Sequence, residues 1–372
     1  MLEDLKSYYS NARGFKSQRK IIVIESDDWG SVRMPSKKAY NNLLEAGISV
    51  DKCGYNTFDG LETTEDLDSI FNSLLQIKDY KGNSPVITAN TIVANPDYDK
   101  IRSDHFQKYH FETFSESYNK YHGSSNILNL IQQGIDQKIY FPQLHGREHV
   151  YIDNWMQALR NRDVDTTIAF DNNVYGISTT ISKIKRKSFL TALDVNNINE
   201  IDKHELIISE AQEIFKKHFG YTSTSFIAPN YTWHPKHELF LKKAGIETLQ
   251  GGRAQKVPFD SLKYHTIKHY MGKVNELNQM YLVRNSSFEP SIRKNVNWQE
   301  KILNEVKIAF FVGAPVIISS HRVNFMGGLN SNNREENLKN LTGILKKLIK
   351  IYPEIEFMNS TELALHIRKS RK

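Results

Sequence analysis

Five residues stand out by type and position: Asp27 and Asp28, His145 and His149, and His321. The two aspartates close the run IIVIESDDWG, residues 21–30, in which four apolar residues lead into adjacent carboxylates. Like charges at the mouth of a core strand repel each other and prefer water, so folding alone gains nothing from them. A metal ion would use both, one carboxylate as ligand and its neighbour free to take a proton from bound water. The competing reading makes Asp27 or Asp28 a cap for the next helix. His145 and His149, in HGREHV, are four apart, the spacing that puts two imidazoles on one side of a helical turn to chelate one ion. The spacing recurs at His265 and His269, but that pair precedes a strand instead of following one, and is read as an exposed or loop pair. Two imidazoles and one carboxylate, with positions left for water, make an open hydrolytic zinc site that also accepts cobalt, nickel or manganese.

Such a set meets only if a scaffold aims it. Apolar runs suited to strands begin at Ile21 and recur at 85–90, 138–144, 223–228, 246–249, 280–284, 315–320 and 355–358. Helical spacing fills the intervals at 36–46, 63–79, 124–134, from the histidine pair to about Arg162, 200–219, 235–244, 296–313, 333–351 and from Thr361. Gly134 closes the third of these helices in this reading. Seven or eight strands alternating with helices predict an α/β fold, a distorted (β/α)7-8 barrel forming a single domain with insertions over 1–372, its core at about 20–365. In such a barrel the residues just past the strand ends share one face. Asp27 and Asp28 follow strand one, His145 and His149 strand three, and His321 strand seven. Two stretches do not fit the alternation. Residues 97–122 read as an irregular excursion, and 163–195 as an insertion in which Thr166 to Phe170 form a short strand.

The chain has 372 residues and a formal net charge of +7, with 39% hydrophobic and 24% charged residues. No apolar run is long enough for a transmembrane helix, and the opening MLEDLKSYYSNARGFK lacks the apolar core of a secretory signal, so a cytoplasmic location is expected. Cys53 is the only cysteine, which excludes an intrachain disulfide and a cysteine-based zinc site. The basic residues lie along helix faces, in the run Lys183 to Lys187 and in the tail Arg368 to Lys372. That distribution reads as solvated surface, and no nucleic-acid partner is expected.

On these residues the chain resembles the polysaccharide deacetylases of carbohydrate esterase family four, over roughly Ile21 to Leu365. The family's Thr-Phe-Asp-Asp motif is similar to Glu25-Ser26-Asp27-Asp28, which implies Asp27 as general base and Asp28 as metal ligand. Its His-Ser-x-x-His motif is similar to His145-Gly146-Arg147-Glu148-His149, implying both imidazoles as the remaining ligands. Its Leu-x-His strand end matches Ser319-Ser320-His321 in part, serine standing for leucine, and implies His321 as general acid. The Arg-Pro-Pro-Tyr-Gly motif keeps its proline but not its arginine in Ile227-Ala228-Pro229-Asn230-Tyr231, and the acidic motif before a tryptophan is not found. In the family that arginine and that acid tune the base and the histidine, and Glu289 and Arg253 are the candidates to replace them.

The resemblance implies a metal-dependent hydrolase that removes an N-acetyl or other acyl group from an acetylated sugar or glycan precursor. Its oxyanion would be met by a backbone N–H near Asn230, and Asp27 would need a pKa high enough to accept a proton. Trp29, Asn230 and Tyr231 are the substrate-side candidates. The aromatic ones, with Trp233, either stack on sugar faces or pack at the barrel top. Two alternatives stand beside this reading: metal-dependent hydrolysis of a non-sugar C–N bond, and a catalytically inactive carbohydrate-binding barrel.

Overall fold

The computed structural model describes residues 2–123, 126–182, 186–260 and 263–371. Ser124 and Ser125 of the expected helix 124–134, Lys183 to Lys185 of the basic run and Lys372 of the tail lie outside them. Nine strands form the main sheet: β1 (Lys20–Trp29), β2 (Ile87–Ile92), β3 (Tyr140–Gly146), β4 (Ser225–Ile227), β5 (Thr248–Gly251), β6 (Met280–Val283), β7 (Ser286–Ser287), β8 (Val316–His321) and β9 (Ile355–Phe357). Their order is β6-β5-β4-β3-β2-β1-β8-β7, with β9 beside the start of β1, and every pairing is parallel.

The two ends of this sheet, β6 and β7, are consecutive pieces of one segment. Arg284 N–H donates to Gly251 O at 2.9 Å, whereas Asn285 N–H donates to Ile317 O at 3.3 Å. The segment therefore changes partner between residues 284 and 285, and the sheet curls into a distorted β/α barrel joined at that point.

Strand alternation sorts the side chains of β1. Ile21 and Val23 enter a cluster with Met280, Leu282 and Ile317, capped by Leu363, Ala364 and Ile367 of the helix Ser360–Lys369. Ile22 and Ile24 face the opposite way, into the larger core shared with the surrounding helices. Continuing the inward series upward brings Glu25 and Asp27, so the interior changes from apolar at the base to ionic at the rim.

Several predicted elements differ from those observed. The helix Asn126–Asp136 runs through Gly134 instead of ending there. A Cβ on Gly134 would lie 2.5 Å from the ring of Phe71, so the glycine marks a close helix approach. Thr166 to Phe170 belong to the helix Val164–Asp171, opened by Asp163 accepting from the Thr166 N–H, and are not a strand. The stretch 97–122 is ordered: a short antiparallel pair, Ala94–Pro96 with Phe111–Thr113, encloses the helix Tyr98–Ser103, and the helix Phe114–His122 follows. Features without a counterpart in the expectation include the opening helix Leu2–Ala12, the short helix Gly54–Phe58 and the hairpin Ala254–Asp260 with Lys263–Lys268. Among the described residues no helix is long and apolar enough to cross a membrane.

Candidate metal centre and catalytic rim

Neighbouring residues of a regular strand point to opposite faces, so Asp27 and Asp28 cannot both face one site without a local break. β1 supplies one. Ser26 pairs with Ala89 and Trp29 with Thr91, so β1 spends an extra residue against β2, and Asp28 takes a left-handed φ of 75°. This bulge re-aims Asp28 toward the rim while Asp27 keeps its inward direction.

Asp28 meets the two histidines there. Its Oδ1 lies 3.3 Å from His145 Nε2 and 3.4 Å from His149 Nε2. At zinc–ligand distances of about 2.0–2.2 Å, two ligands on tetrahedral corners stand roughly 3.3–3.6 Å apart, so the observed separations fit one shared ion. All three residues are buried, and among the described residues no other group of histidine, cysteine and carboxylate side chains has this geometry. The protonation pattern also suits ligation. His145 Nδ1 lies 2.8 Å from the carbonyl of Ile227, which only accepts, so the proton is on Nδ1 and Nε2 presents its lone pair. Burial pushes His149 down to about 3, which keeps its imidazole neutral at physiological pH. Asp28 Oδ1 is enclosed and makes no hydrogen bond, an arrangement that costs free energy unless a cation completes it.

The histidines do not share a helical turn. His145 is the next-to-last residue of β3, and His149 lies in the loop before the helix Ile152–Arg160. That loop is pinned instead by Arg147, which pairs with Glu148 and with Glu210 of the helix Lys203–Phe219, and by Ala94 N–H donating to Arg147 O. His265 and His269 lie apart from the cluster. His265 is exposed and stacks on Phe259, while His269 is buried with Nε2 at Gln255 and its ring on Tyr281.

Asp27 sits among other partners. Arg284, at the joint of β6 and β7, donates to its two oxygens at 2.7 and 2.6 Å and to Glu25 at 2.7 Å. Asn90 donates to Asp27 Oδ1 at 2.8 Å. Burial alone would raise the Asp27 carboxyl, but the Arg284 guanidinium outweighs it and holds the group down at about 2. The pKa expected to be high enough for a ready base is therefore low: a bidentate ion pair wins over desolvation, which keeps Asp27 in the ionised form a base needs while making it a weak one. His321 closes the group, with Nε2 3.8 Å from Asp27 Oδ2 and Nδ1 2.7 Å from Glu289 Oε1. Burial opposes the charge on this imidazole, but Glu289 pushes it up to about 10. Glu289 is itself oriented by Asn324, which donates to its other oxygen at 2.8 Å.

Of the two suggested substitutes, Glu289 thus reaches the histidine. Arg253 does not reach Asp27; it stands over the rings of Tyr9 and Tyr270. Arg284 takes the position by Asp27 and was missed, although a charged residue straight after the apolar run Met280 to Val283 carries the same signal as the aspartates after β1.

The substrate-side candidates divide. Trp29 is 0% exposed and meets Tyr140 edge-on inside the core, so it has no face for a sugar. Trp233 is likewise buried, its Nε1 donating to Glu238. Tyr231 lines a cleft of about 460 Å³ with Tyr55, Arg284, Glu289, Ser319 and His321. Asn230 is exposed on the adjoining turn with φ 54°, its side chain donating to Leu190 O at 3.2 Å.

No family model matches the sequence, and neither does any curated protein. Solved structures do. The 4-alpha-glucanotransferase of Thermococcus litoralis is similar at 9% identity and a TM-score of 0.44, over 93% of this chain and 40% of that one. This chain thus spans well under half the length of that enzyme. An allantoinase is similar at 10% identity and TM-score 0.42, over 94% of this chain and 91% of its own. A family 4 acetyl xylan esterase from Clostridium thermocellum, in complex with a cobalt ion, is similar at 10% and 0.33, over 92% and 90%. Polysaccharide and peptidoglycan deacetylases are also among the similar structures.

Proposed function

We propose that this chain is a divergent polysaccharide deacetylase, a metal-dependent hydrolase that removes an acetyl or related acyl group from an amino sugar or glycan precursor. One observation carries the reading: three buried donors converge, Asp28 Oδ1 lying 3.3 and 3.4 Å from the Nε2 atoms of His145 and His149, beside a second aspartate that has its own arginine and faces an imidazole.

A divalent ion held by those three residues would polarise the acyl carbonyl and acidify a water. Asp27, kept ionised by Arg284, accepts a proton at Oδ2, the oxygen it turns toward His321. His321, kept protonated by Glu289, gives its Nε2 proton to the departing amine. Tyr231 and Thr232 spend their N–H groups on Ala228 and Pro229, which leaves the N–H of Asn230 as the donor on that turn for a developing oxyanion. The cleft beside His321 has room for a sugar ring, with Tyr231 and Tyr55 in its wall.

The test is metal analysis of the purified protein together with acetate release from N-acetylglucosamine oligomers, with and without chelator. Chelation is expected to abolish release. Asp27→Asn is expected to retain the metal and lose about 10²–10⁴-fold in kcat; His145→Ala is expected to lose metal and turnover together. Full turnover in Asp27→Asn, or in protein shown to be metal-free, would overturn the reading.

A further inference from the structure

Most buried arginines near the rim have carboxylates to hold. Arg284 pairs with Glu25 and Asp27, Arg322 with Asp59 and Glu62, Arg147 with Glu148 and Glu210, and Arg334 with Glu65 and Asp66. Arg33 is the exception. It lies on the loop leaving β1, five residues past Asp28, and is 4% exposed. Its Nε is enclosed without a hydrogen-bond partner, and among the described residues its guanidinium makes neither a hydrogen bond nor a salt bridge.

What surrounds Arg33 leads to the rim. The guanidinium lies over the ring of Tyr55 at 5.2 Å, and Tyr55 in turn meets His321 edge-on at 5.3 Å in the wall of the cleft. On the other side Gly176 packs so closely that a Cβ there would lie 2.9 Å from Arg33 Nε, so the side chain is held in place. Burial works against its charge, and Tyr175, Asp28 and Asp59 favour it from nearby without bonding it, so the desolvated guanidinium still lacks a direct partner, which is costly. Position and confinement together indicate that the anion arrives with the ligand.

We infer that Arg33 recognises an oxyanion, a carboxylate or a phosphate, carried by the acylated sugar near its acyl group. This rests on the hydrolase reading above and narrows it to anionic substrates. The planar guanidinium fork suits two oxygens of either group, and a neutral sugar would leave it unpaired, which is how a buried polar residue discriminates between substrates. The competing arrangement is internal: Asp59 Oδ2 is also without a hydrogen-bond partner, and a rotated Arg33 would serve it instead.

The experiment compares N-acetylglucosamine, N-acetylglucosamine 1-phosphate and N-acetylmuramic acid, whose phosphate and carboxylate both stand on positions next to the acetamide-bearing carbon. Binding is measured by calorimetry on metal-free protein, and acetate release on zinc-loaded protein. One of the charged sugars is expected to bind about 10- to 100-fold more tightly than the neutral one, and which one it is tells phosphate from carboxylate. Arg33→Gln is expected to erase that preference while leaving neutral-sugar binding and metal content unchanged, and Arg33→Lys to keep part of it. Equal binding of all three sugars by the unaltered protein overturns the inference, as does a preference that survives in Arg33→Gln. A lowered unfolding midpoint in Arg33→Gln with unaltered selectivity assigns Arg33 to Asp59 and also overturns it. Acetate release from all three at equal rates sinks the anion site and keeps the hydrolase. Tight Arg33-dependent binding with no release from any sugar does the reverse.

Discussion

Arg284 holds two buried carboxylates at once, Glu25 through Nε and Asp27 through both terminal nitrogens. Glu25 has a further partner in Ser360 Oγ at 2.7 Å, but burial still raises its carboxyl, against the pull of the guanidinium. The arginine therefore neutralises charge that the inward series of β1 would otherwise stack inside the barrel. Arg284→Met leaves both buried carboxylates without their guanidinium and is expected to destabilise the protein by about 3–5 kcal/mol, read as a lower urea midpoint. Adding Glu25→Gln removes one of the stranded charges and is expected to restore part of that loss. Strict additivity of the two changes would show that Glu25 and Arg284 are not coupled.

At the scale of elements, His204 on the helix Lys203–Phe219 and His237 on the helix Pro235–Lys243 meet at 2.8 Å, Nδ1 to Nε2. His237 Nδ1 accepts from the His234 N–H at 3.0 Å, so its proton sits on Nε2 and is donated to His204. Both rings are neutral: burial lowers His204 to about 4 and His237 well below its ordinary value. Folded pKa values below the unfolded value of about 6.5 mean stability that is fully present above that pH and lost as pH falls toward 4. The melting temperature is thus expected to drop between pH 6.5 and 4, with a shallower slope in the His204→Asn/His237→Asn double variant. An identical slope in both proteins would remove this pair from the account.

The same scale explains what could be read from sequence. Strands after which charge appears abruptly, such as β1 and β8, announced themselves because an apolar run fixes the element and its break fixes the rim. The candidate ligands followed from that. Arg284 carried the same break after an apolar run, but its partner did not follow from it, since that depends on β6 and β7 being one segment, a property of sheet closure and not of local pattern. The helix at Val164 was misread because Thr166 and Ile168 favour strands locally, while the Asp163 cap and burial of Ala169 and Phe170 decide otherwise. Trp29 was placed at the substrate by adjacency to Asp28, but the bulge that turns Asp28 outward sends the indole into the core.

Across the whole molecule, β1 is the strand with most partners: Ile24 aligns with Ile87, Ile22 with Val316 and Lys20 with Ile355. A chain cut after Phe311 would keep β2 but lose β8 and β9, leaving β1 with one open side and the inner cluster without Ile317, Leu363 and Ile367. That fragment is expected to melt without a cooperative transition by circular dichroism, whereas the full chain melts cooperatively. A sharp transition in the fragment would show that the barrel does not depend on those late strands. The spread of these partners also sets a timetable. Contacts between residues so distant in sequence make for slow folding, and while the ribosome is still short of Val316 the strand bearing both aspartates has a neighbour on one edge alone. The rim should therefore be complete only after synthesis has passed that point, when β8 brings His321 beside Asp27.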